Sequence, residues 1–258
     1  MLSYLEYLRD LHRVVQPRSS LEIGVRHGRS LALAACPAVG VDPRPEVTCE
    51  IGPAARVHPM TSDAFFAAGD GLADLPGRTI DLAFIDGMHL VEYAFRDFVN
   101  VERHCGPGGV VVLDDMLPRT VLEAARRRRT RAWTGDVWKV RSVLEQRRPD
   151  LVLLPVAVKP TGVLVVLCPD PAQQPAADLS RWQLRRLRRT TAPPESVLRR
   201  TGAVDPTDLL AAPFWATLRA VRAGASDADA VRRDVRAWRP KPLSAEQVEQ
   251  SKGSTRRG

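Results

Sequence analysis

Long apolar runs are missing from this chain of 258 residues. Nowhere do about 18 apolar residues stand together, so no membrane-crossing helix is expected. The opening stretch, MLSYLEYLRDLHR, sets Glu6, Arg9 and Asp10 where a secretory leader needs an unbroken apolar region, and a cytoplasmic protein is expected. Cysteine is scarce: Cys36, Cys49, Cys105 and Cys168 have no CxxC spacing, which argues against a disulfide framework and against a zinc site. Aromatic residues make up only 5%, leaving few platforms on which nucleobases could stack. Lysine is rare as well. Of 38 basic residues only Lys139, Lys159, Lys241 and Lys252 are lysine, an arginine bias that reads as GC-rich coding as much as a phosphate-binding surface.

What is present is 44% hydrophobic and 26% charged, enough for one sizeable core plus an appendage and too apolar for a disordered chain. The net charge of +8 is unevenly spread: residues 1–169 hold 21 basic against 20 acidic side chains, residues 170–258 hold 17 against 10. The basicity belongs to the C-terminal third, where a solvated charged face is the plain reading.

Leu2, Leu5, Leu8, Leu11 and Val15 recur at spacings of three and four, the stripe of an amphipathic helix over 2–15 that Pro17 closes. From Ser20 the period changes. LEIGV, AVGVD (38–42), VHPM (57–60), TIDLAFID (79–86) and GGVVVLDD (108–115) read as short strands alternating with helices after Gly28, over Asp63–Ala68 and over about Met88–His104. Such alternation implies βαβ units and a parallel sheet, an α/β doubly wound, Rossmann-like fold. TVLEAARRRR (120–129) and Asp136–Arg147 read as helical, and LVLLPVAV (151–158) with GVLVVLC (162–168) as an antiparallel hairpin that completes the sheet. Beyond Pro169 come helical patterns near 178–189, 206–222 and 227–238, then a segment, 239–258, expected to be a mobile tail.

In an open parallel sheet, ligands lie beyond the carboxyl ends of the strands, and glycines there let backbone approach the ligand. Gly24 and Gly28, after Glu22, fit that place or a plain tight turn, although Arg26 stands where a dinucleotide fingerprint needs its second glycine. Asp42 ends the second strand, where a carboxylate can accept both hydroxyls of a ribose. Ser62 and Asp63 follow the third strand; Asp63 can receive an adenine amino group or cap the helix it opens. Asp86, Asp114 and Asp115 leave the ends of neighbouring strands. Gathered carboxylates repel one another unless a cation or donors intervene, and hard oxygen ligands suit Mg²⁺; capping of local amides is the alternative. His89 can be a base, a neighbour of a metal, a substrate partner or a histidine satisfied at a helix start. Trp133 and Trp138 follow the acidic pair and either line an acceptor pocket or pack.

Glu22-Ile23-Gly24, Asp42, Ser62-Asp63, the FIDGMH segment (84–89) and GPGGVVVLDD (106–115), in this order, resemble class I S-adenosylmethionine-dependent methyltransferases. The resemblance spans about residues 18–168. In detail it is similar to the small-molecule group of macrolide-sugar and aminocoumarin-sugar O-methyltransferases and the cephalosporin-hydroxylase-like proteins. It implies a seven-stranded sheet with an antiparallel last hairpin and a methyltransferase domain over 1–169; the basic helical patterns beyond it are read as an extension over 170–238 that covers the body or builds a homodimer contact. The resemblance also implies that Glu22, Gly24 and Gly28 hold the methionine part of the cofactor, Asp42 the ribose, and Ser62 with Asp63 the adenine. Asp86, which also lies beside the cofactor, would bind Mg²⁺ with Asp114 and Asp115, and His89, Asp86 and Asp115 would carry catalysis.

The function so implied is methyl transfer from S-adenosylmethionine to a hydroxyl of a small molecule or sugar, assisted by Mg²⁺. Two rivals remain: a cofactor-binding protein with other chemistry, like the cephalosporin-hydroxylase-like relatives, and an RNA methyltransferase drawn from Arg126–Arg129 and RWQLRRLRR (181–189). Against the second, no Asn/Asp-Pro-Pro-Tyr/Phe motif follows a strand and the core is nearly neutral. No specific nucleic acid and no membrane partner are expected.

Overall fold

The computed structural model describes residues 1–173 and 176–253. Its centre is a seven-stranded sheet of β1 (Ser20–Ile23), β2 (Ala38–Val41), β3 (Ala55–His58), β4 (Ile80–Ile85), β5 (Cys105–Leu113), β6 (Val152–Val156) and β7 (Val163–Leu167), in the order β3-β2-β1-β4-β5-β7-β6. All neighbours run parallel except β7, which is antiparallel to both β5 and β6. This is the doubly wound, Rossmann-like arrangement that the alternation of strands and helices implies, with the seven strands and antiparallel last hairpin that the resemblance implies.

Successive strand residues face opposite sides, so each central strand feeds two cores. In β4, Ala83 and Ile85 join one cluster while Leu82 and Phe84 join the other. The first side is covered by α2 (Ser62–Ala68), α3 (Val91–Glu102) and α4 (Val140–Arg147), through Phe65, Phe95, Phe98, Val143 and Leu144. The second side is covered by α1 (Tyr4–Val15), whose stripe buries Tyr7, Leu8, Leu11 and Val15. Removing one such fully buried leucine, as in Leu11→Ala, is expected to cost about 2–5 kcal/mol. Ser3 starts α1 with a capping box: its hydroxyl accepts from Glu6 N–H, and Glu6 accepts from Ser3 N–H at 2.8 Å.

After β7 the chain forms α5 (Arg181–Arg189), α6 (Glu195–Leu198), α7 (Pro206–Leu210), α8 (Phe214–Arg222), α9 (Ala228–Ala237) and α10 (Ala245–Lys252). Leu209, Phe214, Trp215, Leu218 and Val231 complete the core on the α1 side of the sheet. The helix expected after Gly28 is one short 3-10 turn, Leu31–Leu33, and the C-terminal helices supply much of the apolar cover on that side. Ion pairing fixes them there. Asp81, wholly buried at the start of β4, accepts from Arg18 N–H and Nε–H at 2.8 and 2.9 Å and lies 3.3 Å from Arg222 Nε. The same Arg222 donates to the Val15 and Gly108 carbonyls at 2.8 and 3.0 Å, stitching α8 to the end of α1 and to β5.

Two further expectations are corrected. Residues 120–129 form turns and bends in place of a helix, and 206–222 is split into α7 and α8 around Pro213. Within the segment expected to be a tail, α10 forms under a Ser244 capping box, and Gln247 Nε2 donates to Asp205 at 2.8 Å. Residues 254–258 of that segment lie outside the described residues. Among the described residues no helix is long and apolar enough to cross a membrane.

Candidate active site

The site is assembled at the carboxyl ends of β1, β4 and β5. Ile23 pairs with Ile85 and Ile85 with Leu113, so the residues that follow these strands emerge side by side. The ladder continues one step further: Asp86 N–H donates to Ile23 O at 2.8 Å, and Asp114 N–H to Ile85 O at 3.0 Å. Gly24, at a φ of +93°, lies against the Asp86 backbone so closely that a Cβ there would stand 2.0 Å from its carbonyl oxygen. Only glycine fits.

Asp86, His89 and Asp115 form one cluster, their ligand atoms all within 4.8 Å of one another. His89 Nε2 lies 3.1 Å from Asp86 Oδ1, and Nδ1 lies 2.8 Å from Asp115 Oδ2 and 2.9 Å from the Trp133 carbonyl. Burial works to lower the His89 pKa, but the two carboxylates outweigh it and push it up to about 11. The imidazole is therefore a cation at neutral pH, flanked by two acceptors. The Asp86 pKa is raised by burial and by the Asp115 charge, with His89 opposing.

Asp114 stands apart from this cluster. Its Oδ1 accepts from Asp115 N–H at 2.8 Å, and burial together with the charges of Asp115 and Asp86 raises its pKa well above the ordinary carboxylate range. The acidic set that comes together is thus Asp86 and Asp115 with His89 in the third place, where Asp114 was expected. Asp115 adopts a left-handed φ of 62° just beyond β5, so the chain turns between the two aspartates and only Asp115 reaches His89.

The loop after β5 closes over His89. The Trp133 indole lies parallel to the imidazole, 5.4 Å between centroids and 9° between planes, and its Nε1–H donates to Ala125 O at 2.6 Å. Gly135, at a φ of +59°, would carry a Cβ only 1.9 Å from the His89 carbonyl oxygen, and Asp136 N–H donates to that oxygen at 3.1 Å. Asp136 Oδ1 accepts from Val91 N–H at 3.1 Å, supplying the start of α3 with the acceptor that Leu90, its N-cap, lacks. Arg126 bridges Glu92 and Asp136, so the loop and α3 are held by charge as well.

The residues implied for cofactor binding have these partners. Glu22 is buried, accepts from Ser30 Oγ at 2.8 Å, and has its pKa pushed up to about 8 by burial. Asp42 accepts from Arg26 N–H at 2.8 Å and Arg44 N–H at 2.7 Å, so it already ties the loop after β1 to the one after β2. Arg26, in the glycine's place, adopts a left-handed φ of 44°. Gly28 completes that turn, its N–H donating to Val25 O. Ser62 donates to buried Asp97 Oδ1 at 2.6 Å, and burial raises the Asp97 pKa to about 6. Asp63 pairs with Arg96 at 2.7 Å, and the N-cap of α2 is Thr61, whose hydroxyl accepts from Ala64 N–H.

Two residues at the site were given no role by the sequence reading. Asp97, buried behind Ser62, also lies near Gly87, where a Cβ would be 3.4 Å from its Oδ2. Tyr4, from α1, stacks on Phe84 at 6.4 Å, and burial with the charges of Asp114, Asp86 and Glu22 raises its pKa to about 12. A helix preceding the first strand carries no motif that would announce such a contact.

Residues 21–116 match the family model described as a methyltransferase domain. No curated protein matches the chain. The solved structures to which it is similar include three O-methyltransferases. One is the O-methyltransferase TomG from Streptomyces achromogenes, involved in tomaymycin synthesis, in complex with S-adenosylmethionine: 19% identity over 63% of this chain and 78% of that one, TM-score 0.46. An O-methyltransferase from Bacillus cereus in complex with S-adenosylhomocysteine gives 14%, 64%, 80% and 0.44. A putative caffeoyl-CoA O-methyltransferase from Staphylococcus aureus gives 16%, 63%, 81% and 0.47. The matched stretch runs from β1 through the acidic pair and holds Glu22, Gly24, Asp42, Asp86, His89, Asp114 and Asp115, but not Tyr4 or the Trp133–Asp136 loop. Residues 21–116 therefore match a methyltransferase domain model, on a seven-stranded, doubly wound sheet.

Proposed function

We propose that this protein methylates a hydroxyl of a small molecule, a sugar or natural product, with a divalent cation, Mg²⁺ in the first instance, at the Asp86–His89–Asp115 cluster. The observation that carries this reading is the cluster itself: two carboxylates held close by one imidazolium at the mouth of β4 and β5. The donor set suits a divalent cation. Carboxylate oxygens are what Mg²⁺ takes, a histidine nitrogen widens the choice toward Mn²⁺ and its neighbours, and the imidazolium now supplies the positive charge that such an ion would bring.

In this reading Glu22, Gly24 and Gly28 receive the methionine part of S-adenosylmethionine, Asp42 the ribose hydroxyls, and Ser62 with Asp63 the adenine. When bound, the cofactor supplies an electrophilic methyl group and the cation lowers the pKa of a coordinated hydroxyl. The chain's own task is alignment. Gly24 permits backbone contact, and the Trp133–Gly135 loop covers His89 and excludes water. Asp86, Asp115 and a deprotonated His89 would hold the cation, so its binding would release the imidazolium proton.

Calorimetry should show S-adenosylmethionine binding, and a panel of hydroxylated acceptors should yield S-adenosylhomocysteine with a cation requirement. EDTA should abolish turnover and Mg²⁺ or Mn²⁺ restore it. Full turnover in EDTA would remove the cation; absence of cofactor binding would remove the reading as a whole.

A further inference from the structure

Next to the site, and outside the methyl-transfer cluster, lies a cavity of about 520 Å³. It is bounded by the turns 121–129, by Lys139 and by the end of α5 with Thr190 and Thr191. Five cations line it: Arg126, Arg127, Arg129, Lys139 and Arg188. Two carboxylates answer them. Asp136 takes Lys139 at 3.0 Å and shares Arg126 with Glu92, which also lies 3.4 Å from Arg188. Arg127 and Arg129 have no hydrogen-bond or ion-pair partner among the described residues, and both are exposed. The wall thus carries an excess of three positive charges, concentrated where two guanidinium groups face open space.

We propose that this cavity is an acceptor subsite for a phosphoryl or pyrophosphoryl group, so that the hydroxyl substrate is a small phosphorylated metabolite. Arginine forks match phosphate oxygens in bidentate fashion, and excess charge favours a dianion over a single carboxylate. The volume lies in the range of small-molecule sites and exceeds what a phosphate needs, leaving room for the group that carries it. Exposed Val121 and Leu122, 44% and 55% accessible, offer an apolar wall for that remainder. Among the described residues no aromatic side chain lines the cavity, which argues against the stacking platforms that single-stranded nucleic acid uses.

The cavity is tied to the methyl-transfer cluster by its own wall. Ala125, one of its lining residues, accepts from the indole of Trp133, which is stacked on His89. Asp136, another, donates its amide to the His89 carbonyl. An anion seated on Arg127 and Arg129 therefore sits on the loop that covers the site, and anchors the remote part of an acceptor while its hydroxyl reaches the cluster. The substrate assignment rests on the methyltransferase reading; the anion site does not.

The test uses inorganic pyrophosphate and the full-length chain. Calorimetry should show one pyrophosphate per chain, binding that weakens as salt rises, and a loss of about tenfold or more in the Arg127→Ala/Arg129→Ala double variant. Both side chains are exposed and unpaired, so the variant should keep its melting temperature and its affinity for S-adenosylmethionine. Pyrophosphate binding unchanged in the variant, acetate binding as tightly as pyrophosphate, or single-stranded RNA binding far more tightly than either would each overturn the proposal. For the acceptor, phosphorylated hydroxyl compounds should exceed their unphosphorylated parents in kcat/KM, and the double variant should raise KM for the former alone. Failure of S-adenosylmethionine to bind would sink the methyltransferase reading and leave the pyrophosphate result standing.

Discussion

The indole of Trp133 lies flat over the imidazole of His89 while its carbonyl takes the His89 Nδ1 contact, so one residue fixes both the plane and one nitrogen of the central side chain. Trp133→Ala removes the stack and the Nε1–Ala125 bond but leaves the backbone contact. Turnover should fall by about tenfold or more, consistent with loss of alignment, with cofactor affinity nearly unchanged. Trp133→Phe keeps a ring and should recover most of the rate. Steady-state kinetics beside calorimetry on both variants checks the split.

Gly24→Ala forces a Cβ into the Asp86 carbonyl at a φ that alanine resists. Because the clash is with the backbone that directly follows β4, no side chain can move aside. The variant should unfold more easily by about 1–3 kcal/mol and bind S-adenosylmethionine poorly. Urea titration and calorimetry would show it; a wild-type profile in both would mean that the two strand ends sit farther apart than described.

Burial keeps the Glu22 pKa near 8, against 4.5 for an exposed glutamate. The folded chain therefore holds a proton that the unfolded chain has released, and stability should fall as pH rises from about 4.5 through about 8. Glu22→Gln should flatten that part of the profile. If Glu22 meets the cofactor's ammonium group, binding near neutral pH should also release a proton, visible as a dependence of the calorimetric heat on buffer ionisation. No buffer dependence would separate Glu22 from the cofactor.

Glu102 is wholly buried on α3, paired with Arg148 and accepting from Asp170 N–H at 3.2 Å. Glu102→Ala strands the Arg148 guanidinium with Asp150 alone, and a broken buried pair costs about 3–5 kcal/mol. At about 2–4 °C per kcal/mol for chains of this size, the melting temperature should drop by roughly 6–20 °C. Arg148→Met should cost about as much, since Glu102 is then the uncompensated charge.

The strands were legible because their apolar runs are short, bounded by turn residues and evenly spaced, and all seven expected strands are present. The backbone positions of Asp86, Asp114 and Asp115 followed from that frame. Side-chain partners did not. That His89 and not Asp114 completes the cluster depends on which way two adjacent aspartates leave a strand, and on a loop 44 residues further on that presses the His89 ring into place. The run 120–129 carries a helical pattern, yet Arg126 is drawn toward Glu92 and Asp136, and the loop follows its ion pairs. Asp63 fell to a neighbour for the same reason: one residue separates a cap from a first-turn carboxylate, and Thr61 holds the cap.

Asp81 sits within β4, at the opposite end of the strand from Asp86, and its charge is met by Arg18 from the segment before β1 and by Arg222 from α8. The family match ends at residue 116 and the last strand at Leu167, but neither marks a place where the chain can be cut cleanly. A fragment stopping at Pro169 would show Leu82, Val110 and Val165 to water, leave half of a buried ion pair without its second arginine, and invite another copy or a chaperone to cover the wound. For this protein the smallest piece worth expressing extends at least through α9.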